Sequence, residues 1–487
     1  MVCQMEGRAG EVLEKVTEFL AGEGVAAYLV GGFVRDSLLD RQSADLDIAV
    51  GAPAPDLARR GAEVLGGKYV LLDRENGVAR VVISGKGRRW YCDFAGLRGS
   101  IEEDLAHRDF TIDAMAVRLV GDGNKIIDPF AGRRDLETGL VRAVGPDVFR
   151  NDPVRMLRAV RLAAEFGFQV EEGTAALVQE SAHLVARTAG ERVREELMRT
   201  LAPAGAASHV RYLDRLGLLL AIIPELGPTR GCRQPKEHYW DVFDHSLEAV
   251  TALERLLRKG DGGGEAAVSR ALWSPVMSRY FDRKVRGFPR RVLLKFAALL
   301  HDIAKPRTRS FDEEKGRVRF LGHSQEGEDL AMEIMGRLRF SRLEKAMVGG
   351  VIHHHLRPTQ LTNDDLPSSR AIYRYYRDTA DVALDTLFFS LADHWATRGP
   401  KLDLEAWDDH VRVVEYIIKE RERGQGTVSP PKLIDGHDLI DLLGDAPGSR
   451  IGRVLEMVRE AQAAGEVSGR DEALALAKEH LDLERET

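Results

Sequence analysis

The sequence predicts an α/β head, a small mixed sheet with flanking helices, followed by all-helical domains. Short apolar runs of strand-like composition are concentrated in the first 100 residues, and beyond about residue 231 apolar residues recur almost entirely at helical spacing. A chain of 487 residues, 44% of them apolar, can bury several hydrophobic cores. We therefore expect four parts, at residues 1–145, 146–230, 231–400 and 401–487.

The head begins with an amphipathic pattern that predicts a helix over residues 10–22, and a second helix is expected over 55–65. Between them lie a run of strand character and a further apolar run that ends at Val50. The remaining strand-like runs follow, so that the head alternates between the two kinds of element. The strand-like runs outside the one that ends at Val50 are residues 26–30, 68–72, 79–84 and 90–94.

Composition and charge exclude several classes of protein. No stretch approaches 18 uninterrupted apolar residues, the N-terminus lacks a basic-then-apolar signal pattern, and three scattered cysteines cannot form a disulfide framework. A net charge of −7 argues against indiscriminate binding of nucleic acid. We expect a cytoplasmic multidomain enzyme without a membrane segment. No pattern in the sequence specifies an oligomeric state.

The first candidate site lies near the N-terminus. An apolar strand ends at Gly31 and Gly32, Arg35 follows, and a second strand carries Asp45 and Asp47. Side chains at i and i+2 of a strand point to one face, so both carboxylates are presented together, as Mg²⁺ requires. The glycines let backbone N–H groups approach a phosphate, and Arg35 adds positive charge. For an isolated Asp-x-Asp, a solvated acidic strand end would be a better explanation than a cation site. The two glycines and the arginine upstream favour the cation site here.

This segment resembles the first motif of class II tRNA nucleotidyltransferases, the group of CCA-adding, CC-adding and A-adding enzymes and bacterial poly(A) polymerases. The resemblance extends over roughly residues 25–230 and implies a catalytic head at 1–145 with Mg²⁺ held by Asp45 and Asp47. Asp93, in a later strand, either adds a third catalytic carboxylate at this edge or is an ordinary strand-end aspartate.

The stretch after Asp93 is shorter than the resemblance implies. Family members carry an adaptable loop between this strand and the second motif, but here Asp93 runs almost directly into Ile101. Relatives that add only the two cytidines are the ones that lack the loop. Addition of CC alone is therefore weighed evenly against addition of the full CCA end.

The second motif supplies a donor fork and an acceptor, Arg108 and Asp109, which could hold a phosphate and a ribose hydroxyl. It resembles the family's ribose-selecting motif. Two residues depart from the family pattern: His107 stands where arginine is usual, and Asp113 where asparagine is usual.

A helix after residue 150 carries the third part of this site. Asp152, Arg155 and Arg158 recur every three residues and share a face, and Asn151 or Asp152 is expected to cap the helix. A carboxylate that accepts from an exocyclic amino group, beside a guanidinium that donates to a ring nitrogen, admits cytosine and adenine and rejects uracil and guanine without a template. This segment resembles the family's nucleotide-selecting motif, with Asn151 in place of glutamate, and implies a neck at 146–230. The plain alternative is a capping aspartate with a local ion pair.

The helical region at 231–400 carries a second constellation, which resembles the HD metal-dependent phosphohydrolase superfamily. The resemblance implies a divalent metal and activity on phosphomonoesters or 2′,3′-cyclic phosphates, and the alternative is a vestigial domain without metal. A glycine-rich insertion is expected at 258–270. The implied ligands are His245, His301, Asp302 and Asp393, with His323 and His354 as further candidates.

Together these motifs predict a template-independent tRNA nucleotidyltransferase that transfers C, A or both from CTP and ATP to the tRNA 3′ end by two-metal phosphoryl transfer. The resemblance also implies that the tail at 401–487 contacts the tRNA. Two alternatives stay open at this point. One is a bacterial poly(A) polymerase, and the other is an HD phosphohydrolase whose head has become a tRNA-binding module.

Overall fold

The structure, a computed structural model, forms two compact units. Unit 1 consists of Met1–Thr200 and Tyr212–Ile222, and unit 2 of Leu201–Arg211 and Ile223–Thr487. The fourfold division expected from the sequence stays a prediction, and the expected glycine-rich insertion lies, from residue 259, outside the described residues. The structure describes residues 8–85, 88–121, 125–258, 274–361, 366–423, 430–443 and 449–486.

A seven-stranded mixed sheet forms the framework of unit 1, in the order β3-β4-β5-β2-β1-β6-β7. Only β2 and β5 are parallel neighbours in this sheet; the other pairs are antiparallel. The predicted mixed sheet is confirmed. The strands are β1 (Ala27–Val30), β2 (Asp45–Val50), β3 (Lys68–Asp73), β4 (Val78–Gly85), β5 (Arg88–Gly96), β6 (Ala116–Arg118) and β7 (Ile126–Ile127).

Helices cover the sheet and continue into the rest of unit 1, and the helix Ala206–Arg215 begins in unit 2 and ends in unit 1. Apolar side chains of β1, β2, β4 and β5 pack with those of the first and third helices in one core, which includes Leu20, Leu29, Ile48 and Phe94. The helices and short strands are α1 (Arg8–Gly22), α2 (Gly32–Leu38), α3 (Ala54–Val64), α4 (Ile101–Ala106), α5 (Gly132–Thr138), β8 (Leu140–Val141), α6 (Val148–Asn151), α7 (Val154–Phe166), β9 (Gln169–Val170), α8 (Glu172–Ser181), α9 (Gly190–Leu201), α10 (Ala206–Arg215) and α11 (Leu218–Ile222).

The connection between β5 and α4 is only four residues long, from residue 97 to residue 100. The backbone N–H of Leu97 donates to the carbonyl of Val50, which holds the start of the connection against the sheet. Ser100 and Glu103 then form a capping box that begins α4. This connection leaves no room for an adaptable loop.

The segment that carries Asp152 and Arg155 begins differently from the sequence prediction. Neither Asn151 nor Asp152 caps the helix through its side chain, because α6 ends at Asn151 and α7 begins after Pro153. The residue before a proline is pushed out of the helical region, and Asp152 accordingly has extended backbone angles, φ −150° and ψ 97°. Its carboxylate accordingly accepts hydrogen bonds from Arg192 and caps neither helix.

Unit 2 is nearly all helical, with two small hairpins, and its core packs around α12, α14, α17 and α20. Among the described residues, no helix has the combination of length and apolar character needed to cross a bilayer. The elements are α12 (Val242–Leu256), α13 (Pro275–Asp282), β10 (Lys284–Val285), β11 (Phe288–Pro289), α14 (Arg290–Leu300), α15 (Lys305–Thr308), β12 (Arg309–Asp312), β13 (Arg317–Phe320), α16 (His323–Arg337), α17 (Arg342–His354), α18 (Arg357–Gln360), α19 (Ser369–Thr379), α20 (Ala383–Arg398), α21 (Leu404–Arg423), α22 (Gly436–Leu443), α23 (Ser449–Ala463) and α24 (Arg470–Glu486).

Candidate active sites

Unit 1 contains a cavity of about 370 Å³ whose lining is mostly charged. Its walls come from the β1–α2 junction, β2, the segment after α4, α7 and α9. Asp47 of the sheet and the pair Asp152 and Arg155 of the helical segment therefore face the same cavity. The lining residues are Gly31, Gly32, Asp47, Arg108, Asp109, Asp113, Asp152, Val154, Arg155, Arg158, Arg192, Glu195 and Glu196.

Three acidic side chains lie on two neighbouring strands, and one of them, Asp47, lines this cavity. Asp45 and Asp47 are two residues apart on β2, and Asp47 lies directly opposite Asp93 in the parallel pair of β2 and β5. Opposite residues of a parallel pair have side chains on the same face of the sheet. Arg80 on β4 donates two hydrogen bonds to the Asp93 carboxylate, at 2.6 and 2.7 Å. Asp93 therefore lies beside Asp47, with its orientation held by a guanidinium.

Asp47 is the member of this acidic group that lines the cavity. Burial raises its pKa to about 6, and the nearby negative charge of Asp93 acts in the same direction, against the attraction of Arg108. At neutral pH its environment thus disfavours its own charge. A divalent cation would reverse this effect, and carboxylate oxygens are the ligands that Mg²⁺ prefers. The residues present therefore fit a hard divalent cation.

This raised pKa leads to a prediction for stability. A carboxylate whose pKa is higher in the folded than in the unfolded state destabilises the protein progressively as pH rises from about 4 to about 6, and the loss persists above pH 6. Asp47→Asn, which mimics the protonated form, should raise the free energy of unfolding by on the order of 1–2 kcal/mol at pH 8 in EDTA. The gain should be small at pH 4.5. Urea unfolding at the two pH values measures it, and an equal gain at both would contradict the assignment.

Gly31 forms the turn between β1 and α2 with a positive φ of 71°, a conformation that side chains disfavour. A Cβ atom here would come within 3.2 Å of Arg108 Nη1 and 3.3 Å of Asp47 Oδ2. Glycine therefore lets a guanidinium and a carboxylate from distant segments converge on one turn. The N–H of Gly31 itself donates to the carbonyl of Met115, at 3.3 Å.

Arg35 lies behind the cavity wall rather than in its lining. Its guanidinium donates to Asp36 at 2.8 and 2.9 Å and to Asp113 at 2.5 Å, and it stacks over the ring of Phe166 at 4.6 Å. Two carboxylates thus offset its charge. Arg35 supports the wall, and the phosphate contact expected from the sequence has no support in this placement.

Arg158 connects the second motif to the helix α7. Its Nε lies 2.9 Å from Asp109 Oδ2, and its Nη2 lies 3.4 Å from Asp113 Oδ2. Asp109 raises the pKa of Arg158 further, so its charge is permanent. Burial disfavours an ionised Asp113, yet Arg35 and Arg158 hold its pKa below the ordinary value. Asp113, one of the two residues that depart from the family pattern, therefore joins two arginines of the wall.

Asp152 and Arg155 lie at the opposite wall. Arg192 of α9 donates two hydrogen bonds to the Asp152 carboxylate, at 3.0 and 2.7 Å, whereas Arg155 Nε is 3.8 Å from the same carboxylate. Arg155 instead donates through Nη2 to the carbonyl of His107, at 3.1 Å. The carboxylate that is expected to read the base is therefore positioned mainly by Arg192.

Unit 2 contains a separate buried cluster of histidine and aspartate side chains. The end of α14 supplies His301 and Asp302, and three other helices and the residue after α17 supply the rest. His245 Nε2 lies 2.9 Å from Asp393 Oδ1, and His301 Nε2 lies 3.1 Å from Asp302 Oδ2. Two groups have ligand atoms close enough together to hold a metal ion. They are His245, His301 and Asp393, and His301, Asp302 and His355.

The cluster's histidines are oriented by their backbone neighbours. Nδ1 of His301, His323 and His355 lies 2.6–2.9 Å from the carbonyl oxygens of residues 298, 320 and 352, respectively. A carbonyl only accepts, so each Nδ1 must carry the proton, which leaves Nε2 as the ligand atom. Burial lowers the pKa of His355 to about 3, so it is neutral at pH 7 as a metal ligand must be.

Several atoms of this cluster have unmet bonding capacity. Nε2 of His245, Nε2 of His301 and both carboxylate oxygens of Asp302 are buried without a hydrogen bond of good geometry, although Lys305 Nζ forms an ion pair with Asp302 Oδ2 at 2.6 Å. Buried polar atoms nearly always have a partner, and each one left without costs about 1–3 kcal/mol. Imidazole with carboxylate is a donor set for Zn²⁺, Mn²⁺ or Fe²⁺. The residues of the cluster therefore fit a divalent metal.

One candidate ligand needs correction. His354 does not reach the cluster: its ring packs against that of His353, with centroids 4.5 Å apart, and it belongs to neither group of ligand atoms. The histidine that lies in the cluster is His355, whose Nε2 is 3.9 Å from Asp302 Oδ1 and 3.4 Å from His323 Nε2. One residue along a helix turns the side chain by about 100°, which separates the two neighbours.

The sequence analysis missed Asp113 and Arg192 as parts of the first cavity. The departure from asparagine at Asp113 was visible in the sequence but did not indicate that it pairs with two arginines. Arg192 lies in a segment with alternating charges, from Glu191 to Glu196, a pattern that is also typical of a solvated helix face. No local pattern indicates that its guanidinium reaches a residue 40 positions away.

Comparison with known families agrees with this architecture. Residues 27–142 match the poly(A) polymerase head domain, residues 167–228 match the probable RNA- and SrmB-binding site of polymerase A, and residues 242–398 match the HD domain. The strand side of the unit 1 cavity thus lies in the region that matches a poly(A) polymerase head domain, its α7 and α9 side lies beyond that region, and the histidine–aspartate cluster lies in an HD domain. The class of the protein is a nucleotidyltransferase with an HD domain.

Two curated relatives narrow the class. The A-adding tRNA nucleotidyltransferase of Deinococcus radiodurans is 34% identical over 93% of this chain and 95% of its own length. The CC-adding tRNA nucleotidyltransferase of Thermus thermophilus is 34% identical over 92% of each chain. Among solved structures, the Thermotoga maritima CCA-adding enzyme complexed with tRNA has the same fold, with a TM-score of 0.61 and 21% identity over 99% of this chain and 97% of that one. This chain belongs to the tRNA nucleotidyltransferase family.

Proposed function

We propose that this protein adds the two cytidines of the CCA end to tRNA, using CTP, and leaves the terminal adenosine to another enzyme. The observation that carries the proposal is the four-residue connection between β5 and α4, because the relatives that lack a loop here are those that add only CC. One of the two relatives described above adds CC and the other adds A, so overall similarity does not decide between them. The missing loop favours the addition of CC alone.

The cavity supports this chemistry through its own side chains. Asp47 and Asp45, with Asp93 beside them, would hold divalent cations, for which Mg²⁺ is our proposal. Such cations, when bound, lower the pKa of the attacking 3′-hydroxyl and offset the charge of departing pyrophosphate. Arg108, at the Gly31 turn, is in position to bind a phosphate of the nucleotide.

The base and ribose are bound at the opposite side of the cavity. Asp152, oriented by Arg192, accepts a hydrogen bond from the exocyclic amino group, and Arg155 donates to the ring nitrogen. Asp109 is held by Arg158 and by the N–H of the next residue, and its remaining acceptor capacity faces the ribose. Base selection then needs no nucleic-acid template.

The decisive experiment uses purified protein with tRNA transcripts that end before the CCA sequence. With CTP and ATP together, we expect the product to be two nucleotides longer, with no ATP-dependent third addition. With transcripts that already end in CC and ATP alone, we expect no extension. A third, adenosine-dependent nucleotide on the first transcript would contradict the CC-only proposal, and long adenosine tails on unrelated RNA would favour the poly(A) alternative.

We propose a second activity, hydrolysis of phosphate esters at the unit 2 cluster, because its unmet ligand atoms fit a divalent metal. A metal bound by His245, His301, Asp302 and Asp393 would supply an acidified water molecule. Attack on the phosphorus of a monoester breaks one P–O bond and releases an alcohol and inorganic phosphate. Lys305, whose Nζ lies 2.6 Å from Asp302 Oδ2, orients that carboxylate.

Metal binding at this cluster can be tested without any activity. Mn²⁺ at about 100 times its dissociation constant should raise the thermal midpoint of the wild-type protein by roughly 5–10 °C. We expect His301→Ala to lose this rise together with one metal per chain by elemental analysis, and Asp47→Asn to retain it. An unchanged rise in His301→Ala would place the metal elsewhere and favour the vestigial alternative.

The remaining parts of the proposal follow from the family. The four-part division, with a catalytic head at 1–145, a neck at 146–230, an HD domain at 231–400 and a tail at 401–487 that contacts tRNA, is retained as part of it. Because the proposed substrate is the 3′ end of tRNA, we also propose a cytoplasmic location. The HD domain acting alone, with a head that only binds tRNA, is the weaker candidate, since the acidic cavity brings together the side chains that nucleotide transfer needs.

A further inference from the structure

Unit 2 contains a second cavity, of about 280 Å³, between α12 and α20. It shares no lining residue with the cavity of unit 1 or with the histidine–aspartate cluster. Its size is near the lower end of the roughly 300–1,000 Å³ typical of small-molecule sites. The side chains that give it chemical character are Trp240, Glu248, Thr251, Arg255 and Trp395, and Gly399 completes the wall.

Two indole rings dominate this cavity and are fixed by their surroundings. Trp395 packs edge-on against Trp407, with centroids 5.2 Å apart. The segment that carries Trp240 is joined to the end of α20 by a hydrogen bond from the N–H of Tyr239 to the carbonyl of Thr397, at 2.9 Å. A Cβ on Gly399 would lie 3.0 Å from Trp240 Nε1, so glycine is what lets this indole pack so closely.

The polar groups of the cavity restrict the ligand. Arg255 lies over the Trp395 ring, with its Cζ 5.8 Å from the centroid. A guanidinium at an aromatic wall opposes a cationic ligand and favours a planar group attached to an anion. Trp240 Nε1 is buried without a hydrogen-bond partner, so the cavity offers an unused donor. Glu248 supplies a carboxylate acceptor in the same lining, and Arg211 makes one long hydrogen bond to its Oε1, at 3.5 Å.

The cavity therefore fits a ligand with a planar ring and an attached anion. The ring must accept a hydrogen bond from Trp240 and donate one to Glu248, and a nucleotide has all of these features. Aromatic side chains bind nucleobases by stacking, which contributes about 1–3 kcal/mol per base. A carboxylate that accepts and an N–H that donates match a base with an exocyclic amino group beside a ring nitrogen, which means adenine or cytosine. Uracil and hypoxanthine present a carbonyl where the amino group would be.

The cavity also adjoins the cluster along two helices. Glu248 follows His245 by three residues on α12, and Ala396 follows Asp393 by three residues on α20. Residues three apart lie on the same face of a helix, about 5 Å along its axis. A base bound in the cavity is therefore about one helical turn from two of the cluster's ligands, within the span of a single nucleotide.

We propose that this cavity binds the adenine or cytosine base of a nucleotide whose phosphate lies at the histidine–aspartate cluster. The binding half of the proposal stands on the cavity alone. The placement of the phosphate rests on the phosphohydrolase activity proposed above. Binding of the base in this cavity makes the phosphohydrolase activity specific for nucleotides with an amino-substituted base.

Binding is tested in the full-length chain carrying Asp152→Ala and Arg155→Ala, which removes the base-reading pair of the head. We expect adenosine 3′-monophosphate to bind about tenfold more tightly than inosine 3′-monophosphate by calorimetry. Glu248→Gln, whose amide can both donate and accept, should abolish this preference. Arg255→Met should weaken both ligands, whereas Arg258→Met, an exposed arginine beyond the cavity, should change neither. Equal binding of the two nucleotides, or a preference that survives Glu248→Gln, would overturn the proposal.

Hydrolysis tests the link to the cluster in a protein with an intact head. In Glu248→Gln and Arg255→Met, the KM for adenosine 3′-monophosphate should rise about tenfold, with kcat little changed. Hydrolysis of glycerol 2-phosphate, an ester without a base, should be unaffected, which also shows that each variant is folded. Equal losses on both substrates would overturn the placement of the base. Selective nucleotide binding without hydrolysis of either ester would refute the phosphohydrolase activity and leave the base pocket standing.

Discussion

Asp47→Asn should lower the rate of cytidine addition by about 10²–10³-fold or more. It removes the strand carboxylate that lines the cavity and whose burial, by raising its pKa, favours pairing with a cation. Asparagine keeps the size and one oxygen of the side chain but has no charge to offset a divalent cation. The variant should nevertheless be at least as stable as the wild type at pH 8, since it removes a destabilising charge. Loss of activity with a gain of stability separates a functional from a structural role.

The measurement is single-turnover addition of labelled CTP to tRNA, with saturating Mg²⁺. Asp56→Asn, an exposed carboxylate in the first turn of α3, is the matched control and should retain full activity. Retention of more than a tenth of the wild-type rate by Asp47→Asn would contradict the assignment. Loss of activity together with loss of stability would instead indicate that the carboxylate supports the fold.

The geometry around Asp47 shows what sequence can and cannot predict. Spacing within a strand was enough to place Asp45 and Asp47 on one edge, because the period of a strand is two residues. The position of Asp93 depends on which strands pair, and only the parallel register of β2 and β5 brings it opposite Asp47. Its ion pair with Arg80 depends on a third strand, β4, and so lay beyond local reasoning.

The same distinction applies to the cluster in unit 2. The order of its histidines and aspartates was sufficient to indicate an HD domain, which the family match confirms. Which member of the histidine triplet faces inward depends on where α17 ends and how its last turn meets α14, since each step along a helix rotates the side chain by about 100°. His355 rather than His354 reaches the cluster for that reason.

The ion pairs between distant segments were the part of the candidate site that was hardest to predict from the sequence. Arg35 looked like a phosphate ligand because of its place after two glycines, but tertiary packing supplies it with Asp113, a residue 78 positions away. A buried guanidinium is stable only with such a partner. The place of Arg35 just after two glycines in the sequence therefore did not indicate whether its side chain lines the cavity.

Asp152→Asn should reduce the preference for CTP over UTP by about 10–100-fold, because Asp152 is the acceptor that we propose reads the base. An ionised carboxylate only accepts hydrogen bonds, so it matches the amino group of cytosine and opposes the carbonyl of uracil. An amide can rotate to donate as well as accept, and a good bidentate contact contributes about 1–3 kcal/mol of discrimination. The fold should persist, because the ion pairs that Asp152 makes with Arg192 and Arg155 are partly exposed.

The measurement is the ratio of kcat/KM for CTP to that for UTP with the same tRNA. Arg192→Met is the informative companion, because it removes the residue that orients the carboxylate but leaves the carboxylate itself. We expect it to weaken CTP use while keeping most of the discrimination, since uracil still meets an acceptor. If Asp152→Asn kept the full preference for CTP, another side chain would have to read the base. Nucleotide selection could then no longer be explained by Asp47 and the pair Asp152 and Arg155 facing the same bound nucleotide.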